Sequence, residues 1–273
     1  MGKLYVCGTP IGNLEDVSIR LLKTLRKVDM IACEDTRHTI KLLNRYKIKN
    51  RLISYHEHSR PEKEEYLLAE LQKGSNIALV SDAGMPTISD PGEGLVRKAI
   101  AAGIDIEAVP GPSACTAALS ISGLNSGSFV FEGFLPIRSG KRQAMLTALK
   151  PEHRTVILYE APHRLVDVLE DMEVILGKNR SITIVRELTK MHQEVKRGPI
   201  GEIKCHYKEY PPRGEICLLI PAEEEKEAPI DWDQITRETM ELIQSGMDKK
   251  EAFKMKAREY KVKKSSIYNL LHK

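Results

Sequence analysis

The fold class predicted by the sequence is α/β: a parallel-sheet N-terminal domain, a mixed-sheet second domain and a small helical C-terminal tail. Three observations carry this. Short apolar runs alternate with helically spaced segments through the first two-thirds of the chain, the pattern of βαβ units. A Gly/Ser/Asn-rich break at 123–127 interrupts that alternation. An acidic stretch, Ala222–Ala228, then precedes a segment of different composition. These breaks place the domains at 1–122, 123–226 and 227–273.

Taken in order, Leu4–Gly8 is a short apolar strand. Val17–Val28 carries apolar residues at 17, 21, 22, 25 and 28, a helical spacing. Met30–Cys33 is a buried strand, Thr36–Tyr46 a helix and Leu52–Tyr55 a strand. Glu62–Lys73 is an amphipathic helix closed by Gly74, and Ile77–Val80 is a strand. Gly94–Ala102 is a helix, Ile104–Val109 a strand, and Ser113 is placed to cap the next helix. In the second domain Phe129–Phe131, Thr155–Tyr159, Ser181–Glu187 and Ile216–Ile220 read as strands. Lys141–Leu149 and His163–Ile175 read as helices, and residues 191–214 as a hairpin-rich excursion around Gly198, Pro199 and Gly201. The tail reads as helices over Thr236–Gln244, Lys249–Tyr260 and Ser265–Leu271, the last capped by Ser265 or Ser266, in a helix-turn-helix outline.

The 273 residues suffice for a real apolar core, and 41% hydrophobic content is ordinary for a globular protein. No apolar run approaches the roughly 20 residues of a membrane span. The N-terminus runs straight into a strand, which is not the pattern of a signal peptide. Five scattered cysteines, none in a C-x-x-C, are expected to be reduced core residues of a cytoplasmic protein. The formal charge of +4 says little as a bulk figure.

Three loops follow predicted parallel strands, where open α/β sheets bind ligands. They are Gly8-Thr9-Pro10-Ile11-Gly12-Asn13, Asp82–Gly92 and Pro110-Gly111-Pro112-Ser113-Ala114. A phosphate cradle needs many convergent backbone N–H groups. These loops instead hold five of the fourteen prolines, at 10, 86, 91, 110 and 112, and each proline deletes a donor. No G-x-G-x-x-G follows the first strand and no Walker pattern occurs. Rigid, carbonyl-rich loops suit a ligand that is neutral or cationic where it meets backbone, and S-adenosylmethionine, with its sulfonium and no phosphate, answers to that. The plain alternative is three tight turns.

The motifs Gly-Thr-Pro-Ile-Gly-Asn at 8–13, Cys-Glu-Asp-Thr-Arg at 33–37 and Ser-Asp-Ala-Gly-Met-Pro-Thr-Ile-Ser-Asp-Pro-Gly at 81–92 form an ordered series. Pro-Gly-Pro-Ser-Ala at 110–114, Glu-Gly-Phe-Leu-Pro at 132–136 and Tyr-Glu-Ala-Pro-His-Arg at 159–164 continue it. Together they closely resemble the bacterial family that methylates a ribose 2′-hydroxyl of a 16S rRNA cytidine, within the tetrapyrrole-methylase (class III) fold. The resemblance spans almost the whole chain, tail included. One departure is Met85, where the family pattern has Thr; a site built from backbone is indifferent to it.

The resemblance implies S-adenosylmethionine in a cleft between the two α/β domains. Carried over by motif, its wall includes Pro10, Ile11, Asp82, Gly84, Met85, Ile88, Ser113 and Ala114, with Phe134, Leu135, Tyr159 and Glu160 from the second domain. It also implies a homodimer, 16S rRNA of the small ribosomal subunit as partner, and no metal or membrane.

Methyl transfer to an alcohol needs an aligned hydroxyl and a route for its proton. Glu34, Asp35 and Arg37, at the end of the second strand, are catalytic candidates; the other reading is an acidic pair capping the helix from Thr36. His56, in His56-Glu57-His58, is a further candidate against a surface-loop reading; no third ligand is spaced to make these a metal site. Arg186–Lys190 with His192 reads either as an RNA contact or as a salt-bridged loop. The sequence leaves the general base open, a positioned water included.

Residues 247–273 hold eight Lys and one Arg against three acids, a net +6, so the rest of the chain sums to −2. This is a phosphate-binding footprint or a solvated helical face. The rival functions are a same-fold methyltransferase acting on a tetrapyrrole or diphthamide precursor, and a non-catalytic rRNA-binding protein.

Overall fold

Five strands, all parallel, make the first sheet: β1 (Lys3–Cys7), β2 (Met30–Cys33), β3 (Leu52–Ser54), β4 (Ile77–Val80) and β5 (Asp105–Val109), in the order β3-β2-β4-β1-β5. The computed structural model describes residues 1–56, 61–223 and 231–271. Between these strands run α1 (Ile19–Lys27), α2 (Thr36–Arg45), α3 (Pro61–Gln72) and α4 (Glu93–Ala101). β2 and β4 are buried at every residue, as expected of strands covered on both faces. One side packs Leu21, Leu25, Leu42 and Leu43, and the other Leu67, Leu71, Leu95 and Ala99.

The second sheet is mixed, in the order β6-β7-β10-β8-β9. It comprises β6 (Phe129–Phe134), β7 (Thr155–Glu160), β8 (Ser181–Arg186), β9 (Glu194–Pro199) and β10 (Ile216–Ile220), with only β6 and β7 parallel. Helices α5 (Ala114–Ser122), α6 (Ser139–Leu149), α7 (Leu165–Leu176) and α8 (Ile200–Glu209) complete this half. Although α5 follows a first-sheet strand, it packs on β7, β8 and β10. Its Cys115, Ala118 and Leu119 share a core with Ile157, Val185, Cys217 and Ile11, so one loop residue of the first sheet is built into the second half.

Most elements end within one or two residues of expectation, the usual scatter at frayed ends. The stretch 191–214 departs further. Its first part is the expected hairpin, β9 against β8, but it continues as α8. Gly201 disguises this helix. A Cβ there would meet Lys178 Cγ at 2.6 Å, so this glycine makes room for a neighbouring side chain and does not mark a turn. Ile200, Ile203 and Tyr207 are the buried helical face. Ser113 does precede a helix, but its side chain makes no cap; the Tyr159 hydroxyl accepts from the Cys115 N–H at 3.0 Å instead. Four cysteines are buried free thiols, while Cys205 on α8 is exposed, contrary to its expected place in the core.

The chain divides into two units, Met1–Glu223 and Glu224–Lys273. The second is described by itself: α9 (Trp232–Gln244), α10 (Lys249–Glu259) and α11 (Lys264–Leu271) pack on Ile235, Phe253 and Ile267. Asp231 and Asp248 cap α9 and α10, whereas α11 begins at Lys264, which puts Ser265 and Ser266 inside its first turn and not at the cap. Glu238 accepts from Lys256 Nζ at 2.7 Å and from the Tyr260 hydroxyl at 2.8 Å. Lys256, one of the tail's basic residues, and Tyr260 are therefore engaged within the tail. Seven other cations (Lys249, Lys250, Lys254, Arg258, Lys261, Lys263 and Lys264) are exposed. Among the described residues no helix is long and apolar enough to cross a membrane.

Candidate active site

The three proline-rich loops sit side by side, because β4, β1 and β5 are neighbours and all point the same way. Thr9 and Gly84 exchange two backbone hydrogen bonds, 2.9 and 3.1 Å, tying the first loop to the second. The first and third loops touch even more closely. A Cβ on Gly8 would lie 2.7 Å from Gly111 Cα, and one on Gly111 would lie 2.6 Å from the Gly8 carbonyl oxygen. Two glycines facing each other are the only way to bring these backbones together.

A cavity of about 310 Å³ opens between these loops and the second sheet. Ile11, Gly84, Met85, Ile88, Ser113 and Ala114 line it from the loops; Phe134, Tyr159 and Glu160 line it from β6 and β7. Nine of the twelve residues expected in the wall thus come together. The other three lie elsewhere. Pro10 and Asp82 line an adjoining cavity of about 280 Å³ with His38 and Lys41. Leu135 is 2% exposed and packed in the second-sheet core. A β-bulge between Phe131 and Gly133, with Gly133 at φ +65°, shifts the register at that point.

The second-sheet wall is largely apolar. Tyr159 meets Phe131 and Phe134 edge-on, at centroid separations of 4.8 and 5.8 Å. Val185 and Cys217 add to it, and burial pushes the Cys217 thiol up to about 12, so it presents a neutral sulfur. Glu160 is the exception. Its side chain is 1% exposed; Oε1 accepts the Ala161 N–H at 2.8 Å and pairs with Arg164 Nε at 3.3 Å. Oε2 is buried with no partner. A buried acceptor without a donor is costly, so this atom marks where a ligand N–H or O–H fits. Burial raises the Glu160 carboxyl, against the nearby guanidinium.

The acids at the end of β2 separate from one another. Asp35 caps α2: Oδ1 accepts the Arg37 N–H at 2.8 Å, and Oδ2 pairs with Arg37 Nη2 at 2.6 Å. The guanidinium beside it holds the Asp35 carboxyl down at about 2. This is the capping reading; neither Asp35 nor Arg37 lines the 310 Å³ cavity. Glu34 is half-buried, raised by burial and by Asp82, with His56 within electrostatic reach. Glu57 and His58 fall outside the described residues. Asp35, His38 and Asp82 bring ligand atoms within 4.8 Å of one another, a grouping of cation-holding type whose Asp35 is already taken by Arg37.

Sequence reasoning passed over Asp90. It lines the cavity, and burial, with Glu34 and Asp82 nearby, pushes its carboxyl up to about 7. It lies inside the Ser81–Gly92 motif, but nothing in its spacing sets it apart. The segment Arg186–Lys190 resolves as a salt-bridged loop over the first loop. Lys190 pairs with Glu187 and Glu215 at 2.8 and 3.1 Å, and Thr189 Oγ1 accepts the Asn13 N–H.

A model of the tetrapyrrole (corrin/porphyrin) methylases matches residues 3–204, most of the chain. The chain belongs to this family. Within the tetrapyrrole methylases it is similar to proteins named ribosomal RNA small subunit methyltransferase I. The one from Synechocystis is 45% identical over 99% of this chain and 97% of its own, and the one from Escherichia coli O157:H7 is 45% identical over 98% and 93%. The Thermotoga maritima relative is 48% identical, with 82% of this chain matching its entire length. Among solved structures, a diphthine synthase aligns at TM-score 0.64 with 14% identity, covering 81% of this chain and 90% of that one. A cobalt precorrin-4 methyltransferase aligns at 0.61 with 18% identity, covering 80% and 94%. At such identities these two establish the fold and nothing finer.

Proposed function

We propose that this protein transfers a methyl group from S-adenosylmethionine to the ribose 2′-hydroxyl of a cytidine in 16S rRNA. The observation that carries the reading is near-full-length similarity to small-subunit rRNA methyltransferases. The cavity suits the donor. Its loop wall is poor in N–H donors and bears no phosphate cradle, and buried Glu160 Oε2 lacks the donor that a cofactor amino or ribose group provides. Bound there, S-adenosylmethionine supplies a methyl group activated by its sulfonium. Ile11, Met85, Ile88 and Phe134 then exclude water around the reacting atoms, and Tyr159 holds the first turn of α5 in place through the Cys115 N–H. Pro10 and Asp82 line the adjoining cavity, where Asp82 Oδ1 accepts the Asp35 N–H, and Glu34 stands within electrostatic reach of Asp82 and His56. The enzyme is read as a cytoplasmic homodimer without a resident metal.

The test is to map methylated nucleotides in 16S rRNA from cells with and without the protein, alongside calorimetric titration with S-adenosylmethionine. Loss of one 2′-O-methylcytidine and a saturable heat are expected. No heat of binding, or an unchanged rRNA map, sinks the reading. The tail's part is separable. Deleting residues 230–273 is expected to weaken rRNA binding and flatten its salt dependence by about 0.7–0.9 in log–log slope per lost phosphate contact, with cofactor affinity held. Unchanged RNA affinity contradicts that role.

A further inference from the structure

We propose that Asp90 is the general base that takes the proton from the acceptor hydroxyl. The inference rests on the functional reading above and names the group that the sequence left open.

Position comes first. Asp90 is the one charged residue that the loops contribute to the 310 Å³ cavity among the described residues. Its neighbours Ile88 and Ser89 line the same cavity and are exposed, while Asp90 is half-buried. The loop that carries it is forced into shape. Thr87 and Ser89 adopt φ of +72° and +64°, conformations that cost non-glycine residues energy and cluster at functional sites. Gly92, at φ +136°, leaves no room for a side chain, because a Cβ would sit 2.8 Å from Leu79 Cδ2. At the other edge Ser89 Oγ would lie 3.0 Å from a Cβ on Gly133, so the loop reaches from β4 to the bulge of β6.

The other acids near the cavity have other work. Asp35 caps α2 and binds Arg37; Glu160 Oε1 is held by Arg164 and the Ala161 N–H, and its Oε2 is the acceptor given to the cofactor above; Glu215 pairs with Lys190. Glu34 and Asp82 do not line the cavity. No cation pairs with Asp90 among the described residues. The titratable groups that face it are Glu34 just after β2, Asp82 from the same loop, Glu215 ahead of β10 and Tyr159 of β7, with the Ser81 hydroxyl beside it. That surrounding holds its carboxyl at about 7, where a base is both ionised and able to accept a proton.

In the step, the hydroxyl proton passes to the Asp90 carboxylate as the hydroxyl oxygen bonds to the methyl carbon. The carbon–sulfur bond breaks, its electron pair stays on sulfur, and a neutral thioether departs. Asp90 returns its proton to water.

Asp90→Asn tests this, because it keeps the shape and removes the base. Single-turnover methylation of rRNA is expected to fall by about 10²- to 10⁴-fold, with S-adenosylmethionine affinity within about threefold of wild type. The wild-type rate is expected to rise tenfold per pH unit below about 7 and level off above it, and the variant to lose that break. Carbon-13 NMR of Asp90 in the RNA-free protein is expected to show the same titration, moved lower in Glu34→Gln. A variant that methylates within threefold of wild type, or keeps the break, overturns the assignment. So does an Asp90 carboxyl titrating near 4. Wild-type protein that binds the cofactor but never methylates a ribose overturns the functional reading, and this one with it.

Discussion

The two walls of the cavity are made of different things. The loop wall is backbone brought into close approach: Gly8 on Gly111, Thr9 on Gly84, with prolines fixing the curvature. The second-sheet wall is side chains standing on strands, Tyr159 and Glu160 of β7, Val185 of β8 and Cys217 of β10. The first wall is therefore intolerant of added atoms but indifferent to much of its side-chain chemistry. The second tolerates small changes of shape and is sensitive to which polar atom it carries.

The largest effect is expected at the backbone crossing. Gly8→Ala and Gly111→Ala each drive a methyl into backbone 2.6–2.8 Å away, and backbone cannot rotate aside as a side chain can. A cost of about 3 kcal/mol, the upper end for overpacking, lowers Tm by roughly 6–12 °C in a body of this size. Scanning calorimetry checks the stability, and titration is expected to show no cofactor binding. Normal affinity in either variant would mean that the loops are turns and not a wall.

On the second wall the effects are smaller and chemical. Glu160→Gln keeps the volume and the Ala161 contact but weakens the pairing with Arg164 and offers a poorer acceptor at the orphan position. Cofactor affinity is expected to drop about tenfold, the worth of roughly 1.4 kcal/mol, a sum typical of one hydrogen bond to a charged group. Tyr159→Phe removes only the acceptor for the Cys115 N–H. About 1 kcal/mol, or roughly 2–4 °C in Tm, is expected, with affinity lowered mainly through the looser start of α5. If Tyr159→Phe costs more affinity than Glu160→Gln, the polar atom that matters on this wall is the hydroxyl.

The same contrast explains what could be read in advance. Backbone features leave a mark on composition: prolines and glycines after strands announced the loop wall, and alternating apolar runs announced both sheets. Side-chain features leave little. Cys217 sits in a run where every residue is apolar, and Val185 follows Ile184 in a buried strand, so nothing marks the one that faces the cavity. Asp90 was hidden because its character comes from burial and then from Glu34, 56 positions earlier, which the pairing of β2 with β4 brings near. Helix α8 was hidden by Gly201, whose reason is Lys178 on another segment. Asp35 shows the converse. Adjacent acids before a helix are ambiguous in sequence, and the geometry resolves them as a cap and a half-buried neighbour.

The smallest expected effect joins the two walls, because Asp90 is a charge on the wall otherwise built of backbone. In the unfolded chain its carboxyl ionises near 3.9. In the folded protein burial and the neighbouring acids raise it to about 7. Between those values the folded state holds the proton more tightly, so stability falls as pH rises from about 4 to 7, and the penalty is full above 7. Asp90→Asn removes the ionisation. The variant is expected to melt slightly above wild type at pH 8, by a few degrees at most because the carboxyl is partly solvated, with the gap closing as pH falls through 7 and absent near pH 4. Equal melting at pH 8 and pH 4 would mean that the loop wall carries no electrostatic strain. A variant that is more stable at pH 8 yet inactive would show what the charge is for, since a wall evolved for stability alone would not keep it.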